Sequence, residues 1–416
     1  MLTLSSGKGL GGEVKKLPED FKVMEITEGG HIVGQDRVFS PSELGEREST
    51  DGKFCTFVLQ KKNWNTISAV TAIAKLLRRG KKSIGYAGMK DKTAITSQLA
   101  SVYGVSPEEV LRLRIKDIWI NGAWRSNGVK MGGNLGNAFR IMIRGVEDQG
   151  RAEGLLEELG GVFPNYFDKQ RFGYRLNNPR VGIKILRNDM EGAVDSILTD
   201  MDNEENEEAR EARKRFKDEM DFSKALEYFP KYLRMERTVI SYMSRYGNYT
   251  NAIRMVPRGL SIMFIHAVQS LVFNVSVERM VRNGSFETGR YCARNWYGFA
   301  DTGNSAEPSD AGALPVGTII GYDTVEEMLS ETENEVLEEL SLSPKDFKIA
   351  HMPELSMRGS LRAVLAPIKD AELHKEEEAV SMEFSIQSGS YATILINEMT
   401  KSDRLDCEKI AIGLSI

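Results

Sequence analysis

The chain has 416 residues, with 60 acidic against 55 basic side chains, 41% apolar and 28% charged. It is too apolar to be disordered, and its length predicts two domains rather than one core. No run approaches the roughly 18 apolar residues of a membrane span, and no basic-then-apolar signal opens the chain, so a soluble cytoplasmic protein is expected.

Residues 1–20 are rich in Gly and Ser and are expected to lie loosely on the surface. Residues 21–26 alternate apolar and polar as a strand does, and Gly29-Gly30 supplies a turn after them. A second strand is expected at 54–60. An amphipathic helix follows over 67–79, with Ile67, Val70, Ala74 and Leu77 on one face, a cap at Asn65 or Thr66 and a stop at Gly80. Gly-rich residues 83–89 lead into a loop around Asp91, and strands are expected at 98–103 and 139–144. Residues 186–229 read as helical and charged, with 204–217 polar on most faces and therefore solvent-exposed. Residues 260–282 hold a long apolar-periodic helix, and a strand returns at 382–386 before a helix around 391–401. The pattern is α+β with a mainly antiparallel sheet, part of which the C-terminal segment supplies after a helix-rich insertion.

Charge is unevenly spread. Residues 53–92 carry ten Lys or Arg and a single acid, Asp91. A basic surface on an acidic protein points to a polyanion docked at one place, although the same cations could simply solvate helix faces. Cys55, Cys292 and Cys407 are odd in number and far apart, and the four His show no metal-ligand spacing, so neither a disulfide scaffold nor a metal site is expected. Cys55, in a strand, reads as buried and inert, and His266, in an apolar helix, as a packed core residue.

Three stretches could carry chemistry. Gly88-Met-Lys-Asp-Lys92 sets a carboxylate between two ammonium groups, which favour its ionised form and suit it to act as nucleophile or base; the pentapeptide fits a salt-bridged surface Asp at least as well. Pro164-Asn-Tyr-Phe-Asp-Lys-Gln-Arg-Phe-Gly173 gathers aromatic rings, amides and Arg171, the groups that stack on bases, read their edges and pair with phosphate; Tyr166 and Phe172 could equally be core beside a turn. Ser388-Gly-Ser-Tyr-Ala-Thr393 is a small-residue turn before a helix, able to hold a phosphate or merely to cap.

These segments, with Asp20-Phe-Lys-Val-Met-Glu25, Tyr86-Ala-Gly-Met-Lys-Asp91-Lys-Thr-Ala-Ile-Thr-Ser-Gln98, Gly133-Asn-Leu-Gly-Asn-Ala-Phe139 and His266-Ala-Val-Gln-Ser-Leu-Val-Phe-Asn274, run in an order that resembles the TruD family of tRNA pseudouridine synthases. The resemblance implies a pseudouridine-synthase catalytic domain (residues 1–168 and 381–416) interrupted by an inserted, helix-rich TruD-specific domain (169–380). It implies isomerisation of uridine-13 of tRNA with no cofactor and no metal, with Asp91 as nucleophile and with substrate contacts at Phe21, Asn165 and Tyr391. Phe167, a second candidate to stack on uracil, and Lys90, Lys92 and Arg171 complete the expected binding set, Lys90 and Lys92 being the cations closest to Asp91 in sequence. The partner implied is tRNA, with a monomer as the default and no obligatory protein partner. The chain departs from the family pattern at Asp168, where Gly is usual, and at Asn397, where Arg is usual. A non-catalytic RNA-binding module and a glycosidase are the other classes in view; a glycosidase needs a second carboxylate facing the first.

Overall fold

The computed structural model describes residues 1–402 and 405–414. Its main sheet begins with β1 (Phe21–Thr27), β2 (Phe54–Lys62), β3 (Ile84–Tyr86), β4 (Ile95–Tyr103), β5 (Ile118–Ser126) and β6 (Asn134–Arg144). An excursion then opens with β7 (Val162–Pro164). It carries β8 (Tyr291–Arg294), β9 (Ala300–Ala306), β10 (Leu314–Ile319) and β11 (Ser360–Ala363) in a sheet of order β11-β10-β8-β9. The excursion closes with β12 (Leu365–Pro367), antiparallel to β7. Finally β13 (Lys369–Glu376) and β14 (Ala379–Gln387) rejoin the main sheet, whose order is β13-β14-β6-β1-β4-β2-β5 with β3 on β4. Among the described residues only the β1–β4 pair in this sheet is parallel, so the mainly antiparallel α+β expectation holds. The sheet takes the chain back at Lys369, ahead of the expected 381, because β13 and β14 form a hairpin whose polar first strand hides the pairing pattern in sequence.

The expected amphipathic helix is Thr66–Leu76, where the Asn65 side chain accepts from Ser68 N–H as a cap does. The long apolar helix is Arg258–Asn283, 26 residues, and it is long and apolar enough by composition to cross a membrane. Here it is the central core helix: Phe264, Ile265, Val268, Leu271 and Val275 are buried in one cluster with Phe21, Val23, Phe139 and Ile141 of the main sheet. One continuous core therefore joins the sheet to the helical excursion.

Two expectations are corrected. The first 20 residues are not loose. Leu10 is buried and its N–H donates to Met399 O (2.8 Å), while Ser5 N–H and hydroxyl reach the Glu398 carboxylate (3.2 and 3.0 Å). A buried carboxylate in helix Ala392–Thr400 thus recruits a polar segment that composition alone reads as surface. Helix Glu207–Glu219 also has an inner face. Ala209, Ala212 and Phe216 are buried, and Arg213 is buried between Glu204 (3.1 Å) and Glu236 (2.6 Å). An ion-paired Arg is counted as polar by pattern but behaves as core. Cys55 follows expectation: it is buried, and burial pushes its thiol up to about 12.

Candidate active site

Asp91 lies in the connection from β3 to β4, and this connection is held mainly through its backbone. Gly132 N–H donates to Ala87 O (2.8 Å), Gln98 Nε2 to Gly88 O (3.0 Å) and Lys90 N–H to Thr66 Oγ1 (2.9 Å). Lys61 Nζ donates to the Asp91 carbonyl (2.9 Å) and to Trp64 O (2.6 Å). Burial lowers the Lys61 ammonium to about 8, and the nearby Asp91 charge works against that shift.

The Asp91 carboxylate remains 34% exposed in a cleft of about 640 Å³. Its cation is Lys15, with Nζ 3.4 Å from Oδ1 and 4.0 Å from the centroid of the Phe21 ring. Lys90, expected beside Asp91 or on substrate, turns the other way: its Nζ lies 2.8 Å from Glu25 Oε2, both side chains being almost fully buried. Glu25 Oε1 also accepts from Leu99 N–H (3.0 Å), so this pair ties the Asp91 loop to the sheet. Lys92 is exposed at the cleft.

One wall of the cleft is a face of the β1–β6 ladder. Period-2 alternation puts Phe21, Val23 and Glu25 on that face, opposite Ile141, Phe139 and Asn137. Phe139 packs edge-on to Phe21 (6.1 Å) and stacks on Phe384 (5.2 Å). The Asn137 side-chain oxygen is buried and has no hydrogen-bond partner, an acceptor left open in the wall.

The facing wall is the turn Ser388–Thr393 with Asp168 and Gln170. Arg362 of β11 holds this turn: Nη2 donates to Gly389 O (3.0 Å) and Asn165 Oδ1 (2.7 Å), and Nε to Asn165 O (3.0 Å). Ser390 Oγ donates to the same Asn165 Oδ1 (2.8 Å), and Thr393 Oγ1 to Asp168 Oδ2 (2.8 Å). Behind Tyr391, Phe167 stands 6.2 Å away between centroids, with the Arg362 guanidinium 4.1 Å over its ring. Asn274 of the core helix accepts from Phe167 N–H and donates to Phe167 O, both at 2.8 Å, which fixes this segment.

Of the residues expected from sequence, Asp91, Phe21, Tyr391, Lys90 and Lys92 line the cleft. Asn165, Phe167 and Arg171 do not line it; they form the layer that positions Tyr391. Asn165 is 1% exposed and committed to Arg362, Ser390 and Ala363, so its amide is a brace and not an open reader of base edges. Arg171 sits 5.0 Å over Phe167 and 3.4 Å from His266 Nδ1; burial, then Arg171, lowers the basicity of this half-buried His. Lys15, Asn134, Asn137, Phe139 and Gln170 were missed. The signal for Asn137 and Phe139 was in their motif, since residues two apart on a strand share a face. Nothing local marks Lys15.

Fold and site define an α+β protein with a carboxylate-centred cleft between aromatic walls. The family model described as tRNA pseudouridine synthase D (TruD) matches residues 2–399, and the chain belongs to this family. It is 33% identical to a Methanocaldococcus jannaschii protein described as "Probable tRNA pseudouridine synthase D 1", covering 93% of this chain and 95% of that one. It is 30% identical to the "Probable tRNA pseudouridine synthase D" of Methanococcoides burtonii, covering 95% and 94%. A crystal structure of a Methanosarcina mazei protein described as TruD superposes with a TM-score of 0.76 at 29% identity, covering 97% of this chain and 96% of that one.

Proposed function

We propose that this chain isomerises uridine-13 of tRNA to pseudouridine, with Asp91 as the catalytic carboxylate. The observation that carries the reading is a single accessible carboxylate, paired to Lys15, in a cleft whose other walls offer aromatic rings and an unsatisfied amide oxygen. The family resemblance supplies the position in the tRNA. A uridine inside folded RNA must be flipped out of its stack before its glycosidic bond is accessible. Asp91 then attacks C1′ or removes the 2′ proton, and the C1′–N1 bond breaks. The freed uracil rotates within the cleft and bonds to C1′ through C5. The proton lost from C5 is balanced by one gained at N1, so the reaction needs no oxidant, reductant or other co-reactant.

During rotation the loose ring needs a flat surface and a fixed edge. Tyr391 supplies the surface, braced by Phe167, Asn165, Arg171 and Arg362. Phe21 and Phe139 form the opposite side, and the Asn137 oxygen is an acceptor for a uracil N–H. Lys15 is the cation paired with Asp91, and Lys92 faces the phosphates. Asp168 lines the same cleft, but its two oxygens accept from Lys169 N–H (2.7 Å) and Thr393 Oγ1 (2.8 Å), which makes it a cap and a poor second acid for glycoside hydrolysis.

The test is tritium release from tRNA labelled at uracil C5, with the modified position mapped. Wild type is expected to release label at one uridine. Asp91→Asn is expected to lose turnover while tRNA affinity stays within about threefold, since the change preserves shape and removes only the charge. Tight binding by wild type without release favours the RNA-binding module instead.

A further inference from the structure

A second groove, of about 390 Å³, lies beside the cleft and is lined by Val70, Lys81, Lys82, Gly85, Tyr86 and Met131 among others. One of its walls is β3, which runs on from Tyr86 through Ala87 and Gly88 to Asp91. The other is the loop before β6, which runs from Met131 through Gly132 and Gly133 to Asn134 in the wall of the cleft. The two walls are zipped together: Gly132 N–H donates to Ala87 O (2.8 Å), and a Cβ at Gly85 would fall 2.4 Å from Val129 O. The two sides of the groove therefore continue into the Asp91 loop and the start of β6, both of which line the cleft.

The groove is cationic and partly apolar. Lys81 and Lys82 in its lining, Lys130 just before Met131 and Lys92 in the adjoining cleft are exposed and make no ion pair with any described residue. Met131 in the groove and Met89 in the cleft are 69% and 71% exposed. Unpaired ammonium groups suit a chain of phosphates, and adaptable thioether side chains beside Tyr86 suit the faces of riboses or bases. Glu28 lies beside Gly133, between the groove and the cleft.

We propose that this groove carries the RNA strand that adjoins the target uridine, with Lys81 and Lys82 on its phosphates. The proposal rests on the functional reading above and extends it from the flipped nucleotide to the path of its neighbours. The test is the salt dependence of affinity for an unmodified tRNA transcript, measured for wild type, Lys81→Gln/Lys82→Gln and a control, Lys345→Gln, whose side chain is 86% exposed. Each lost phosphate contact reduces the log–log slope by about 0.7 for a single strand and about 0.9 for a duplex. The groove double variant is expected to lower the slope by about 1.4 to 1.8 and to raise Kd roughly tenfold at moderate salt. The control is expected to change nothing. An unchanged slope in the double variant, or an equal change in the control, overturns the proposal. If the slope falls as expected but wild type releases no tritium, the groove stands and the catalytic reading falls.

Discussion

Replacing Glu25 with Gln isolates what the buried Lys90–Glu25 pair does for the Asp91 loop. The side chains are 3% and 1% exposed and 2.8 Å apart, so the substitution strands an ammonium group in the interior. Breaking a buried pair from one side costs about 3–5 kcal/mol. The amide introduced by Glu25→Gln keeps an acceptor for Leu99 N–H, so the backbone bond is spared and the loss reports the charge. Adding Lys90→Met removes the stranded ammonium, and the double variant is expected to recover all but about 1–2 kcal/mol, the remainder reflecting an underused amide donor. Guanidinium denaturation followed by intrinsic fluorescence gives both differences. The double variant is also expected to bind tRNA within about threefold of wild type, because the Lys90 ammonium faces Glu25 and not RNA. Equal stability of single and double variants would refute the pairing argument, and a tenfold loss of tRNA affinity in the double would place Lys90 on the substrate.

The remaining predictions concern the supports of the site. Lys61 has a folded-state pKa of about 8 against 10.5 when unfolded, so between these values the unfolded chain holds a proton that the folded chain lacks. Stability of wild type relative to Lys61→Met is therefore expected to rise with pH from about 8 to 10.5, by about 3 kcal/mol in all; a flat difference across that window contradicts the burial argument. Arg362→Ala removes all three donated bonds that fix Asn165 and Gly389, and is expected to lower single-turnover rates ten- to a hundredfold by loosening Tyr391, with about 2–4 kcal/mol lost in denaturation. Arg362→Lys, which cannot span these acceptors with one ammonium, is expected to recover little; full rescue by Lys would mean that charge and not geometry matters.

Much of this protein was legible from short-range pattern. Alternation located β1, strand-like stretches located β2, β4, β6 and β14, the 3.6-residue period located helices Thr66–Leu76 and Arg258–Asn283, and the lone acid in a basic stretch singled out Asp91. These signals survive because each depends on neighbours within one element or loop. Side-chain direction does not. Lys90 sits next to Asp91 in sequence yet points into the sheet, because Glu25, 65 residues away, offers it a buried partner. Lys15, from a segment whose composition reads as loose, becomes the cation on Asp91 because Glu398 and Met399 anchor that segment from the far end of the chain. Asn165 reads as an open amide until Arg362 and Ser390, 197 and 225 residues on, take up its oxygen. The sequence by itself determined the strongly patterned elements and singled out the lone carboxylate of the basic stretch. Which groups face that carboxylate was decided only when hydrogen-bonding needs of buried atoms, satisfied across hundreds of residues, turned each side chain toward the cleft or away from it.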